Sequence, residues 1–150
     1  HDDAEAKFDK LVEVAENFLR RHGRYPTFWL DKVCIDQEHI CDGLKVLPVN
    51  VMACKRVLVL CGHTYAQRLW CIWELFVLFC LTEKPERVAK RAVLVPLHEN
   101  LVVMKELERF DARHAHCYDP NEEWRLRQVI AAVGIDEFNQ RFRAWAARFG

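Results

Sequence analysis

Arg56-Val57-Leu58-Val59-Leu60-Cys61-Gly62, followed after a short loop by Leu69-Trp70-Cys71-Ile72-Trp73-Glu74-Leu75-Phe76-Val77-Leu78-Phe79-Cys80-Leu81, sets the fold class of this 150-residue chain. The first run is apolar at consecutive positions, as a strand is when both faces of its sheet are covered. Gly62 breaks it. The second run is apolar almost all round and is interrupted by Glu74, which predicts a deeply buried helix. A fully covered strand feeding a buried helix is the repeating unit of an α/β domain.

Outward from that unit, the pattern continues in both directions. Downstream, residues 92–97 (Ala-Val-Leu-Val-Pro-Leu) predict another strand, with Pro96 at its end or on an edge. Residues 101–110 predict a helix, and residues 113–118 a short edge strand with His114, His116 and Tyr118 on one face. Helices over 124–133 and 138–149 close the chain, hinged at Gly134. Upstream, Phe8, Leu11, Val12, Ala15, Phe18 and Leu19 recur at three- and four-residue steps and predict an amphipathic helix, capped by Asp2 or Asp3 and stopped by Gly23 and Pro26. Residues 27–31 form a short aromatic run of strand type. A polar stretch over 32–43 follows, and Leu44, Leu47, Val51 and Met52 then predict a short helix that tolerates Pro48 only in its first turn. Helix and strand therefore alternate along one domain spanning 1–150. The expected architecture is α/β and three-layered, with a mostly parallel central sheet and helices on both faces. A doubly wound domain ordinarily opens on a strand, whereas this chain opens on a helix. A central strand is accordingly expected upstream or from a partner, within a larger chain or assembly.

Composition narrows the function classes. Lys plus Arg and Asp plus Glu number 22 each, so the formal net charge is zero and no long-range field draws in nucleic acid. The longest apolar stretch, 69–81, is too short to span a bilayer. Seven cysteines, Cys34, Cys41, Cys54, Cys61, Cys71, Cys80 and Cys117, include no C-x-x-C pair. Buried free cysteine packs as a small hydrophobe, and the expected setting is an intracellular, reducing compartment. Cys34, His39, Cys41 and His63 match no standard zinc spacing, so no metal is expected. A Cys61–His63 nucleophile pair lacks an orienting group, and His114 and His116 read as solvated edge residues. Lys84, Arg87, Lys90 and Arg91, interrupted by Glu83 and Glu86, read as a solvated loop.

Tyr65-Ala66-Gln67-Arg68-Leu69-Trp70-Cys71-Ile72-Trp73-Glu74-Leu75, placed directly after a strand, resembles the middle of a Toll/interleukin-1 receptor (TIR) domain, whose fold is flavodoxin-like. Trp29-Leu30-Asp31 resembles that family's second strand, and the stretch from there to Gly43 its BB loop. The chain departs from the family in three ways: the first strand is missing, Gln67 and Arg68 replace a small serine-rich loop, and residues 33–40 differ from the common BB loops. The resemblance implies two functions. In one, the domain is an interaction or scaffold module that joins other protein chains, copies of itself included, through Asp36, Gln37, Glu38, His39, Ile40, Cys41 and Asp42. In the other, it hydrolyses NAD+ as a substrate, without a cofactor, using Glu74 as the catalytic carboxylate.

The chemistry of the second function suits the residues. Breaking an N-glycosidic bond builds oxocarbenium character, which a nearby carboxylate stabilises. Ligands of open α/β sheets bind outside the carboxyl ends of the strands, close to Glu74. Trp29 and Asp31 can line that edge, and Tyr65 or Trp70 can stack on a ligand ring. Each residue also has a structural reading. Glu74 can pair with Arg68, Asp31 can cap a turn, and Trp70 and Trp73 can be core. Because the missing strand would form one wall of the nucleotide pocket, the interaction role takes first place. The last turns, from Trp145 to Phe149, are a further candidate partner face.

Overall fold

A computed structural model of the chain describes residues 3–34, 40–82, 85–98 and 102–148. It is a mixed helix–strand protein built on a parallel pair of strands, β1 (Val57–Cys61) and β2 (Ala92–Pro96), in register from Val57↔Ala92 to Cys61↔Pro96. The Leu97 amide extends the ladder by donating to the Cys61 carbonyl at 2.9 Å. Pro96, which has no N–H to donate, sits at the strand's last position, where the ladder does not need one.

Between the strands run α4 (Leu69–Cys80) and α5 (Pro85–Arg91). In α4, Leu69, Ile72, Leu75 and Leu78 are fully buried at three-residue steps, as the all-round apolar pattern predicts. The stretch read as a solvated loop is instead the helix α5, which ends on a structural cation. The Arg91 guanidinium donates to the carbonyls of Val51 at 2.7 Å and Cys54 at 2.9 Å. These lie at and just past the end of α3 (Ile40–Ala53), where carbonyls have no helical partner, so Arg91 closes that end. Pro48 lies inside α3 and not in its first turn, removing one internal N–H from the ladder. Packing of Leu47 and Val51, both buried, outweighs that loss.

After β2 come α6 (Val102–Glu108), α7 (Pro120–Val133) and α8 (Ile135–Ala146). Asp119 caps α7 by accepting from the Asn121 amide at 2.7 Å, with Pro120 at the first helical position. Gly134 joins α7 to α8 at φ 93°, a backbone that side-chain-bearing residues avoid. Phe138 and Phe142 of α8 are fully buried against Phe76, Phe79 and Phe110, with Phe76–Phe138 centroids 4.4 Å apart. Trp145, expected on a partner face, belongs to this aromatic core beside Phe79 and Phe142, while Trp124 of α7 is exposed. Phe149 lies outside the described residues.

The amino-terminal region contrasts with this. Helix α1 (Ala4–His22) has both expected ends: Asp3 accepts from the amides of Glu5 and Ala6, and Gly23 takes the left-handed conformation at φ 68°. Its apolar stripe, however, buries no residue fully, and Phe8 is 66% exposed. The strand expected over 27–31 does not form. Residues 24–30 have no regular structure, and Asp31–Cys34 is a helical turn, α2. Its start is local: the amides of Val33 and Cys34 donate to the Leu30 carbonyl at 3.0 and 2.7 Å. Three apolar residues are too few to hold a strand without a neighbouring ladder, so the backbone satisfies itself in a turn. The edge strand expected over 113–118 is likewise a 3-10 turn, Ala112–His114, followed by a single bridge between His116 and Arg68.

Candidate functional site

Glu74 lies one turn into α4, and the geometry of that helix start sets its surroundings. The chain leaves β1 at Cys61, turns through a 3-10 element at Tyr65–Gln67 and becomes extended at Arg68. No side chain caps α4. Instead, the His116 carbonyl accepts from the Leu69 amide at 2.9 Å, and the His116 amide donates to the Gln67 carbonyl at 2.9 Å. A neighbouring backbone therefore takes one of the orphan donors of the helix start. The segment carrying His116 is clamped from α7. The Glu123 carboxylate accepts from the Cys117 amide at 3.0 Å and from Arg127 Nε at 2.8 Å, and Arg127 donates on to the carbonyls of Ala112 and Ala115. Burial pushes the Glu123 carboxyl up, but Arg127, the Cys117 amide and His116 outweigh it and hold the group below the usual carboxylate range.

Around Glu74 the structure gathers Tyr65, Arg68, Trp70 and Asp31. Although Glu74 is only half-buried as a residue, its carboxyl sits in low-dielectric surroundings that push its pKa up to about 8. Burial is the main cause and the Asp31 charge adds to it, while the Trp70 indole and Arg68 act in the opposite direction. The Trp70 Nε1 is buried without a fully formed hydrogen bond, yet it lies close enough to favour the charged form of Glu74. Tyr65 is buried and donates its hydroxyl to the Cys71 carbonyl at 3.2 Å; burial raises its pKa, as do the nearby Cys71 and Glu74. Asp31 also raises the Glu122 carboxyl of α7, after burial and Asp119, so its charge is felt on both helices. Lys7 of α1 acts on Cys71, which brings the first turns of that helix to the same region.

Of the residues singled out from sequence, Asp31, Tyr65 and Trp70 thus converge on Glu74. Trp29 packs against the hydrophobic core. Asp36, Gln37, Glu38 and His39 lie outside the described residues, and Ile40, Cys41 and Asp42 are described only as backbone at the start of α3. Sequence reading missed Lys7, Glu122 and the Glu123–Arg127 clamp. The Asp119-Pro120 start of α7, with Glu123 at the fourth helical position, signals a helix N-terminus, but nothing in the pattern shows which segment that helix grips.

Nucleophilic thiol chemistry does not fit here. Burial pushes the Cys71 thiol up to about 12 and Cys117 up to about 11, so both stay protonated. Among the described residues, no group of three or more His, Cys, Asp or Glu is placed to hold a metal ion. Two clefts, of about 400 and 250 Å³, open elsewhere, and Glu74 lines neither. Among the described residues, no helix is long and apolar enough to cross a membrane. Comparison with protein-family models, curated proteins and solved structures finds no match to this chain.

Proposed function

We propose that this chain is a TIR-like interaction domain of three-layer, flavodoxin-like architecture that works as a scaffold with other protein chains, copies of itself included. One observation carries the reading: an amphipathic 19-residue helix, capped at both ends, lays down an apolar stripe of which no residue is fully buried among the described residues, with Phe8 66% and Val12 38% exposed. Tyr25 and Val33, at 63% and 77% exposed, extend the apolar surface along the next segment. Monomeric proteins rarely leave large apolar surface uncovered, and such surface marks interaction sites. The stretch from Asp36 to Asp42, rich in charged residues, is the second contact segment of this reading. The six free thiols among the described residues suit a reducing compartment. Sedimentation of the intact protein tests the proposal. Association that deepens with concentration and is weakened by Phe8→Asp supports it; a monomer at every concentration argues against it.

The surroundings of Glu74 favour a second reading, NAD+ hydrolysis. Water would replace nicotinamide at the ribose carbon, releasing nicotinamide, ADP-ribose and a proton, while the Glu74 carboxylate offsets positive charge on the ribose. That role needs the ionised form, so turnover should rise with pH as Glu74 deprotonates toward pH 8. Nicotinamide release that Glu74→Gln abolishes would establish this reading; release that survives the substitution would remove Glu74 from it.

A further inference from the structure

Helix α1 is polarised in charge along its length. From Asp3 to Glu16 the chain carries five acidic and two basic side chains, whereas from Asn17 to Leu30 it carries Arg20, Arg21, His22 and Arg24 and no acid. The helix dipole favours acids in the first turn and cations in the last, which accounts for Glu5 and for Arg20 to His22. It does not account for Asp9, Glu13 and Glu16 in the middle turns. Glu5, Asp9 and Glu13 also stand at four-residue steps on one side of the helix, where like charges repel. Lys10 relieves Glu13 at 2.8 Å, while among the described residues Glu5, Asp9 and Glu16 form no ion pair.

These acids run beside the apolar stripe. Along the outer side of α1 the stripe is Ala4, Phe8, Val12, Ala15 and Leu19, and the residues that follow them are Glu5, Asp9, Glu13, Glu16 and Arg20. Ala4, Phe8 and Val12 are exposed, Ala15 and Leu19 are half-buried, and all five charged neighbours are exposed. Charges that flank an apolar seam set the partner and the orientation of a helix pair. In a parallel pair acid would meet acid. In an antiparallel pair with Phe8 against the partner's Leu19, Val12 meets the partner's Ala15, and the partner's Arg20 comes level with the span between Glu5 and Asp9. Glu13 and the partner's Glu16 approach near the axis, where Lys10 already offsets Glu13. Every contact repeats about the twofold, so the pattern is self-complementary. We infer that a second copy of this chain covers the stripe, α1 packing antiparallel on α1 in a closed twofold dimer, an inference that rests on the interaction reading and names its partner.

Sedimentation velocity of the whole chain, with its thiols kept reduced, tests this on the unaltered protein, on Arg20→Glu, on Glu5→Arg with Asp9→Arg, and on all three changes together. The unaltered boundary should rise with concentration and level off at the dimer. Arg20→Glu, and separately the Glu5→Arg and Asp9→Arg pair, should each weaken the dimer at least about 10-fold by setting like charges against each other. The combined variant exchanges the two signs and should recover to within about 3-fold of the unaltered protein. Its charges oppose the helix dipole at both ends, so recovery cannot come from a steadier helix. All three positions are exposed, so the fold should survive. Association that Phe8→Asp weakens but these reversals leave unchanged would overturn the inference and leave the interaction reading standing, as would growth beyond the dimer. Reversals that weaken the dimer with no recovery on combination would also overturn it. A monomer at every concentration would overturn both.

Discussion

The amino-terminal third and the rest of the chain carry apolar patterns of similar quality, yet they end in opposite states. In α8 the periodic aromatics Phe138 and Phe142 are fully buried. In α1 the equally periodic Phe8 and Val12 face solvent. Periodicity states which face of a helix is apolar, and only tertiary contacts state what covers it. The carboxyl-terminal region supplies its own cover, from α4, α6 and α7, whereas among the described residues the stripe of α1 is covered only in part and none of its residues is fully buried.

The sharpest way to break this comparison is to truncate one aromatic on each side. Phe142→Ala should cost about 3–5 kcal/mol in urea unfolding, as large core truncations do. If it costs less than 1 kcal/mol, the aromatic core does not hold this half together. Glu74→Gln should have an effect that depends on pH. The folded carboxyl keeps its proton up to about pH 8, while the unfolded one releases it near 4.5. Between these values the unfolded state holds fewer protons, so the contribution of Glu74 to stability is full below pH 4.5 and is lost as pH rises toward 8. Removing the buried charge should therefore stabilise the protein by on the order of 2 kcal/mol at pH 9 and leave it nearly unchanged at pH 4. Equal destabilisation at both values would show that Glu74 is held ionised.

Asn139 probes the joint between α8 and the Ala112–His114 turn. It is buried, accepts from the Ala112 amide at 2.9 Å and donates to Asp111 at 2.9 Å. Asn139→Leu strands the Ala112 amide and should cost about 1–3 kcal/mol by chemical denaturation. A neutral outcome would mean that water replaces the side chain there. The smallest effect belongs to Phe8→Ala, which should change monomer stability by less than about 0.5 kcal/mol, since exposed sites away from special features are nearly neutral. A loss comparable to that of Phe142→Ala would show that α1 is core after all and erase the contrast.

What could be read in advance divides along the same line. The segments 56–61, 69–81 and 92–97 have patterns that allow a single structure, and they form the strands and buried helix expected. Ends governed by local chemistry were also legible, from Asp3 and Gly23 to Gly134. Residues 27–31 were not, because a three-residue apolar run becomes a strand only beside another strand. Arg91 was misread for a related reason: a cation in a charged stretch looks solvated until the helix end it caps is known. At the site, Glu74, Asp31, Tyr65 and Trp70 were legible as residue types around a buried helix. The clamp of Glu123 and Arg127 was not, since it joins segments whose proximity exists only in the fold.

The most direct test of the central claim is sedimentation velocity of the intact protein over a wide concentration range. The interaction reading predicts a sedimentation coefficient that rises with concentration and returns toward the monomer value in Phe8→Asp. A single monomeric boundary at every concentration, identical in the two proteins, would contradict it.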